Sequence, residues 1–225
     1  MKVVILAGGF GTRLSEHTKS MPKPMIDING KPIIYYILKF YAKHGFKDFY
    51  IALGYKGQVV KNFFKKNSYG WNIHLIETGK KTMTGGRLKR LTKYLGKETF
   101  MMTYGDGISN VNLKKLLKFH KDNKKLVTLT AVRPPARFGA LKFKGHFVRS
   151  FKEKSKVDEG WINGGFFVIE PKFLNFIKKD DTYLEREPLE LASKKKQLVA
   201  YRHEGFWQCV DTKRDLDKIR KILKK

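Results

Sequence analysis

Apolar positions along the chain follow two alternating rhythms. Short runs rich in Val, Ile, Leu, Phe and Tyr recur at Lys2–Ala7, Asp48–Leu53, Asn72–Glu77, Thr99–Thr103 and Leu126–Val132. They return at closer spacing at Phe147–Phe151, Gly165–Ile169, Gln197–Tyr201 and Phe206–Val210. Their length and composition predict strands. Between them lie segments with apolar residues three and four apart, which predict helices over Pro32–Lys43, Arg87–Tyr94, Leu113–Lys121, Pro171–Lys178 and Lys213–Leu223. Pro32 suits a first helical position, and Gly45 lies just past the end of that helix. Strand–helix alternation through the first half implies βαβ units and a mostly parallel sheet flanked by helices. The crowded later strands imply an antiparallel extension. No linker or internal repeat interrupts the pattern, so one domain over residues 1–225 is expected.

Composition narrows this picture. With 225 residues, 41% of them hydrophobic, the chain is long and apolar enough for a sizeable core. The single cysteine, Cys209, excludes a disulfide framework, and is expected to pack as a small hydrophobe. The longest apolar runs, such as Val3–Ala7, fall far short of the roughly 18 residues of a membrane span. The start of the chain has no signal-peptide pattern. A cytoplasmic protein without a membrane partner is expected. Charge is the anomaly: 48 Lys and Arg against 20 Asp and Glu give +28. Such a field attracts polyanions. The basic residues are spread over the whole chain, however, and no zinc-finger, zipper or RNA-recognition signature accompanies them. Nucleic acid is therefore not the expected partner, whereas small anionic substrates fit. The six histidines form no ligand spacing for zinc.

The candidate chemistry begins after the first strand, in Leu6-Ala7-Gly8-Gly9-Phe10-Gly11-Thr12-Arg13. A glycine-rich turn at the carboxyl end of a parallel strand lets successive amides surround an anion. The string matches neither a Walker A loop nor a dinucleotide fingerprint, and by itself it could be an ordinary tight turn. Lys23 follows in Met21-Pro22-Lys23-Pro24-Met25, held extended by its flanking prolines. A glycine nest, Arg13 and a rigidly held lysine together suit a polyphosphate.

Gly-Gly-x-Gly-Thr-Arg followed by Pro-Lys-Pro-Met resembles the sugar-phosphate nucleotidyltransferases. Thr84-Gly85-Gly86-Arg87-Leu88-Lys89-Arg90, Tyr104-Gly105-Asp106-Gly107, Arg137-Phe138-Gly139-Ala140-Leu141, Phe151-Lys152-Glu153-Lys154, Ile162-Asn163-Gly164-Gly165-Phe166-Phe167, Glu187-Pro188-Leu189, Gly205-Phe206-Trp207-Gln208 and Asp211-Thr212 are similar to the branch that cytidylylates glucose 1-phosphate. The resemblance spans nearly the whole chain. It implies a Rossmann-like α/β fold of the nucleotide-diphospho-sugar transferase type. It also implies Mg²⁺-dependent, in-line attack of a sugar phosphate on the α-phosphorus of CTP, giving CDP-glucose and pyrophosphate. The same chemistry with another nucleotide and sugar 1-phosphate remains open. A homo-oligomer is expected, although the family's longer segment after the Phe63-Phe64 helix is only Lys65–Trp71 here.

Carried onto this chain, the resemblance assigns nucleotide binding to Leu6, Ala7, Gly8, Gly9, Gly11, Thr12, Thr82, Gly85, Gly86, Arg87 and Gly105. It gives Arg13 the leaving phosphates and Lys23 the α-phosphate. Glu153 and Lys154 would bind the sugar and its phosphate, with Asn163, Gly164 and Gly165 lining the sugar pocket. Asp106 and Asp211 would bind Mg²⁺, since carboxylates at separate strand ends suit a hard cation. Without the resemblance, Asp106 reads as a turn aspartate and Asp211 as a helix N-cap. Trp207 reads equally well as core or site.

Overall fold

The computed structural model describes residues 1–67, 69–134, 140–152 and 160–224. Its strands are β1 (Lys2–Leu6), β2 (Asp27–Ile28), β3 (Lys31–Pro32), β4 (Asp48–Leu53), β5 (Asn72–Glu77), β6 (Phe100–Tyr104), β7 (Gly107–Ser109), β8 (Val127–Val132), β9 (Ala140–Lys144), β10 (Phe147–Lys152), β11 (Ile162–Ile169), β12 (Leu198–His203) and β13 (Trp207–Cys209). Its helices are α1 (Ser15–Thr18), α2 (Ile33–Lys43), α3 (Gly57–Lys66), α4 (Thr84–Arg90), α5 (Thr92–Leu95), α6 (Leu113–Asn123), α7 (Glu187–Lys194) and α8 (Lys213–Ile222).

Seven strands form one sheet in the order β12-β8-β11-β6-β1-β4-β5. The first strand lies inside it, parallel to both β4 and β6, with Val4 opposite Tyr50 on one side and Met102 on the other. Its run Val3-Val4-Ile5 is fully buried, because helices cover both faces of the sheet. One core gathers Ile33, Ile37 and Tyr41 of α2, Leu113 and Leu116 of α6, and Leu216 and Ile219 of α8 against Val3, Ile5 and Phe49. The other packs Leu88 of α4, Phe173 of the 171–176 turn and Leu189 of α7 against Val4, Phe100 and Phe167. The later strands are antiparallel only in part: β11 pairs antiparallel with both β6 and β8 inside the sheet, whereas β12 pairs parallel with β8, and β10 pairs antiparallel with β9 in a separate ladder.

The helical periods miss α3, which starts at Gly57 without a side-chain cap, and α7, which is eight residues long. The segment expected to be helical over Arg87–Tyr94 is two short helices. They join at Leu91, whose amide bonds back to Leu88 and Lys89. Over Pro171–Phe176 the turn is 3₁₀ rather than α.

The expected strand Phe206–Val210 forms, as β13, but outside the main sheet. It pairs antiparallel with β7, Trp207 opposite Ser109 and Cys209 opposite Gly107. That small ladder lies just beyond the carboxyl end of β6 and carries Asp106 and Asp211 to the same place. No helix among the described residues is long and apolar enough to cross a membrane.

Candidate active site

The chain proceeds from β1 to β4 and β5 on one side, then returns to β6 on the other side of β1. This reversal opens a crevice at the carboxyl ends of β1 and β6, where open α/β sheets receive ligands. The glycine turn fills the first of these ends. Among the described residues, no acceptor takes a hydrogen bond from the amides of Gly9, Phe10 or Gly11. Gly11 needs its glycine: φ is +66°, and a Cβ there would lie 2.9 Å from Thr18 Cγ2 and 3.0 Å from Lys23 Cβ.

Arg87 braces the turn from beneath. Its Nη2 donates to Gly8 O at 2.8 Å, and its Nη1 donates to Gly79 O at 2.6 Å, Thr78 Oγ1 at 3.0 Å and Leu53 O at 3.1 Å. The residue is 3% exposed. A Cβ at Gly8 or Gly54 would stand 2.3 Å from Arg87 Nη1, so both glycines make room for the guanidinium. Burial, then the nearby Arg90 charge, lowers the Arg87 pKa below its ordinary value. Arg87 also borders the cavity. Its donors, however, are spent on main-chain carbonyls and Thr78.

Lys23 stands opposite. Its short 3₁₀ turn, Lys23–Met25, follows the extended Pro22. Pro24 packs against Gly105, where a Cβ would lie 2.7 Å from Pro24 Cγ. That close approach brings Lys23 beside the residue after Gly105. Lys23 Nζ donates to Asp106 Oδ2 at 2.7 Å and to Asp211 Oδ1 at 2.6 Å, with the lysine 9% exposed. Burial alone would lower the lysine pKa. The Asp106 charge and the bonds to both carboxylates outweigh it and hold the ammonium above its ordinary value.

Asp211 is not the N-cap of α8. Thr212 caps that helix, and Asp215 accepts from the amides of Asp211 and Thr212, which fixes the backbone on which Asp211 is mounted. Ligand atoms of Asp106, Cys209 and Asp211 lie within 4.8 Å of one another. Two such carboxylates on a cavity wall suit a hard divalent cation. Cys209 is thus a wall residue rather than core. Burial and the Asp106 charge push its thiol well above its ordinary pKa, so it stays protonated.

These groups line one cavity of about 720 Å³, in the size range of small-molecule sites. Leu6, Ala7, Gly8, Gly9, Gly11, Thr12 and Thr82 border it, as do Asn163, Gly164 and Gly165 across the sheet. Gly165 has φ +79°, and a Cβ there would meet Tyr104 at 2.7 Å. Trp207 is a wall residue as well, its Nε1 donating to Gly164 O at 2.7 Å.

Gly85 and Gly86 are placed elsewhere. They border the cavity nowhere, and their amides donate to Thr182 O. A Cβ at Gly86 would lie 2.2 Å from Asp180 O, so these glycines let α4 pack against the 180–184 loop. The side chain of Arg13, and Glu153 and Lys154 entirely, lie outside the described residues.

Tyr104 and Glu185 also border the cavity. Tyr104 carries no sequence signal beyond its place in Tyr104-Gly105-Asp106-Gly107. Glu185 stands two positions before Glu187-Pro188-Leu189, in a loop without local signal.

The pattern of the nucleotidyl transferase family matches residues 2–223. The chain belongs to that family. Enzymes of the family work with a divalent metal. The chain is 47% identical to a glucose-1-phosphate cytidylyltransferase of Salmonella typhimurium (strain LT2), over 96% of this chain and 93% of the relative. It is 40% identical to a probable glucose-1-phosphate cytidylyltransferase of Bacillus subtilis (strain 168), covering 99% and 96%. Among solved structures, HddC from Yersinia pseudotuberculosis complexed with GMP-PN superposes with a TM-score of 0.79 at 26% identity, each chain covered to 99%. The structure of a putative glucose-1-phosphate thymidylyltransferase from Bacillus anthracis shares the fold, with a TM-score of 0.78 at 20% identity over 99% of this chain and 94% of that one.

Proposed function

We propose that this nucleotidyl transferase converts CTP and glucose 1-phosphate to CDP-glucose and pyrophosphate. The observation that carries the reading is Lys23, held between Asp106 and Asp211 and facing the glycine turn across one cavity. The relatives named above support the choice of CTP and glucose 1-phosphate. In the reaction a phosphate oxygen of the sugar phosphate bonds to the α-phosphorus as the bond to the pyrophosphate oxygen breaks. Positioning and charge neutralisation supply most of such catalysis.

Each part of the chain then has a task. The amides of Gly9, Phe10 and Gly11, for which no acceptor stands among the described residues, donate to triphosphate oxygens. Lys23 exchanges a carboxylate for an α-phosphate oxygen and stabilises the charge that grows there. Arg13 binds the leaving pyrophosphate, its planar fork suited to two phosphate oxygens. Glu153 and Lys154 bind the sugar phosphate. Asp106 and Asp211 hold Mg²⁺, which when bound neutralises phosphate charge. Arg87 keeps the turn in shape.

Pyrophosphate release with glucose 1-phosphate and Mg²⁺, run in parallel with CTP, UTP, dTTP, ATP and GTP, tests the reading. We expect a strong preference for CTP. Release with a different nucleotide would keep the chemistry and overturn the base assignment; no release with any nucleotide and sugar 1-phosphate would overturn both.

A further inference from the structure

Glu185 lies in the loop that precedes α7 and borders the cavity. Its carboxylate is fixed at both oxygens. Tyr104 Oη donates to Oε1 at 2.6 Å, and Thr84 Oγ1 donates to Oε2 at 2.7 Å. Both donors are themselves oriented. Thr84 Oγ1 accepts from the amide of Leu184 at 2.9 Å, which turns its proton toward Glu185. The Asn163 side chain hydrogen-bonds the Tyr104 hydroxyl, while Asn163 Oδ1 accepts from the amide of Gly165 at 2.8 Å. Gly165 in turn lies against the Tyr104 ring. Burial and the Glu185 charge push the Tyr104 phenol well above its ordinary pKa, so it remains a donor.

A carboxylate takes about four hydrogen bonds and offers no proton. Two of those positions are filled by protein hydroxyls, which leaves acceptor capacity at the cavity mouth. Phosphate is repelled there, so the complement is a neutral O–H or N–H donor of the substrate. The anchors select between these. Tyr104, Asn163 and Gly165 form the wall across the sheet from the glycine turn, the side given to the sugar, and a hexose presents several hydroxyls.

We propose that Glu185 is a specificity-determining residue that accepts hydrogen bonds from hydroxyls of the sugar 1-phosphate, with Tyr104 as its positioning residue. This rests on the reading of the cavity as a nucleotide and sugar-phosphate site.

Steady-state kinetics on the full chain, with each substrate varied separately, tests it. Glu185→Gln is expected to raise KM for glucose 1-phosphate roughly 10- to 100-fold, the loss typical of a hydrogen bond to a charged group. KM for CTP should stay within about twofold, the scatter of an uncoupled site. Tyr104→Phe should raise KM for the sugar phosphate by a smaller factor, about 3- to 10-fold, since the carboxylate loses one positioning bond but keeps its charge and its bond from Thr84. Glucose 1-phosphates lacking one hydroxyl each supply the second arm. For the analogue without the bonded hydroxyl, wild type and Glu185→Gln should converge. A purely structural role would lower kcat or thermal stability without this pairing.

An unchanged sugar-phosphate KM would overturn the proposal. So would a rise confined to CTP, which would put the carboxylate at the cytosine amino group. If wild type releases no pyrophosphate with this pair, the parent reading fails on its own. Calorimetric titration with glucose 1-phosphate then decides, and equal affinity for wild type and Glu185→Gln would overturn the Glu185 assignment.

Discussion

Lys23 and Arg87 are both buried cations that touch the glycine turn, and their charges are met in opposite ways. Lys23 comes within 3.0 Å of the Cβ position of Gly11 and is paired with two carboxylates that face the cavity. Arg87 fills the Cβ positions of Gly8 and Gly54 and is met by main-chain carbonyls and one threonine hydroxyl. Carboxylate side chains on a cavity wall can trade partners when phosphate and metal arrive. Carbonyls of β4, the glycine turn and the 79–80 loop cannot, because moving them dismantles the backbone that defines the site. The buried charge that can change partners belongs to the chemistry, and the one that cannot belongs to the architecture. A buried charge strongly penalises loss of its partners in either case.

The sharpest break of this comparison is Lys23→Ala. Removing one preorganised donor to developing charge typically costs a factor of about 10²–10³ in kcat. We expect that loss with KM for CTP little changed. A loss confined to KM would mean that Lys23 binds ground and transition states alike.

Arg87→Lys keeps a charge but cannot reproduce the planar fork. Each buried carbonyl left without a donor costs about 1–3 kcal/mol, so a stability loss of roughly 3 kcal/mol is expected by denaturant unfolding. The kcat of the enzyme that remains folded should fall far less than in Lys23→Ala. A fall as large, at unchanged stability, would make Arg87 a substrate ligand instead.

Gly86→Ala comes next. Its Cβ would meet Asp180 O at 2.2 Å, so α4 and the 180–184 loop must separate. Overpacking of this kind costs about 1–3 kcal/mol. Because the same loop leads to Glu185, KM for the sugar phosphate should rise with it. Gly9→Ala is the smallest effect on folding. Nothing lies within 4 Å of a Cβ there, so stability should change by no more than about 0.5 kcal/mol. Any rise in the nucleotide KM of that variant would report the closeness of the ligand to the turn.

Much of this was readable before the fold was known, and the reasons differ by element. The inner strands declared themselves because burial on both faces forces an unbroken apolar run, as in Val3-Val4-Ile5. By contrast, β7 and α7 are short elements with few periods to count, and they form because neighbours pack on them. The glycine turn and Lys23 were legible as unusual local chemistry. The packing of Gly85 and Gly86 against the 180–184 loop was not legible, because a glycine demanded by packing and one demanded by a ligand look the same in a string. Arg87 illustrates the same ambiguity. The motif marks it as special, and the fold shows its donors turned toward the backbone.

What the sequence by itself determined was the alternation of strands and helices, the sharp glycine turn after the first strand, the lysine stiffened between prolines, and the family to which these motifs point. Those properties follow from backbone preferences and burial periods that act over a few residues. Only the tertiary structure decided that Asp106 and Asp211 meet on one ammonium, that Arg87 holds up the turn, and that Glu185 faces the cavity between Tyr104 and Thr84. Those meetings join segments far apart in the chain. They depend on strand order, on the β7–β13 ladder and on the packing of α4 against a distant loop. The physical reason is that hydrophobic burial fixes which elements become neighbours, and no local preference encodes which side chains then share a wall.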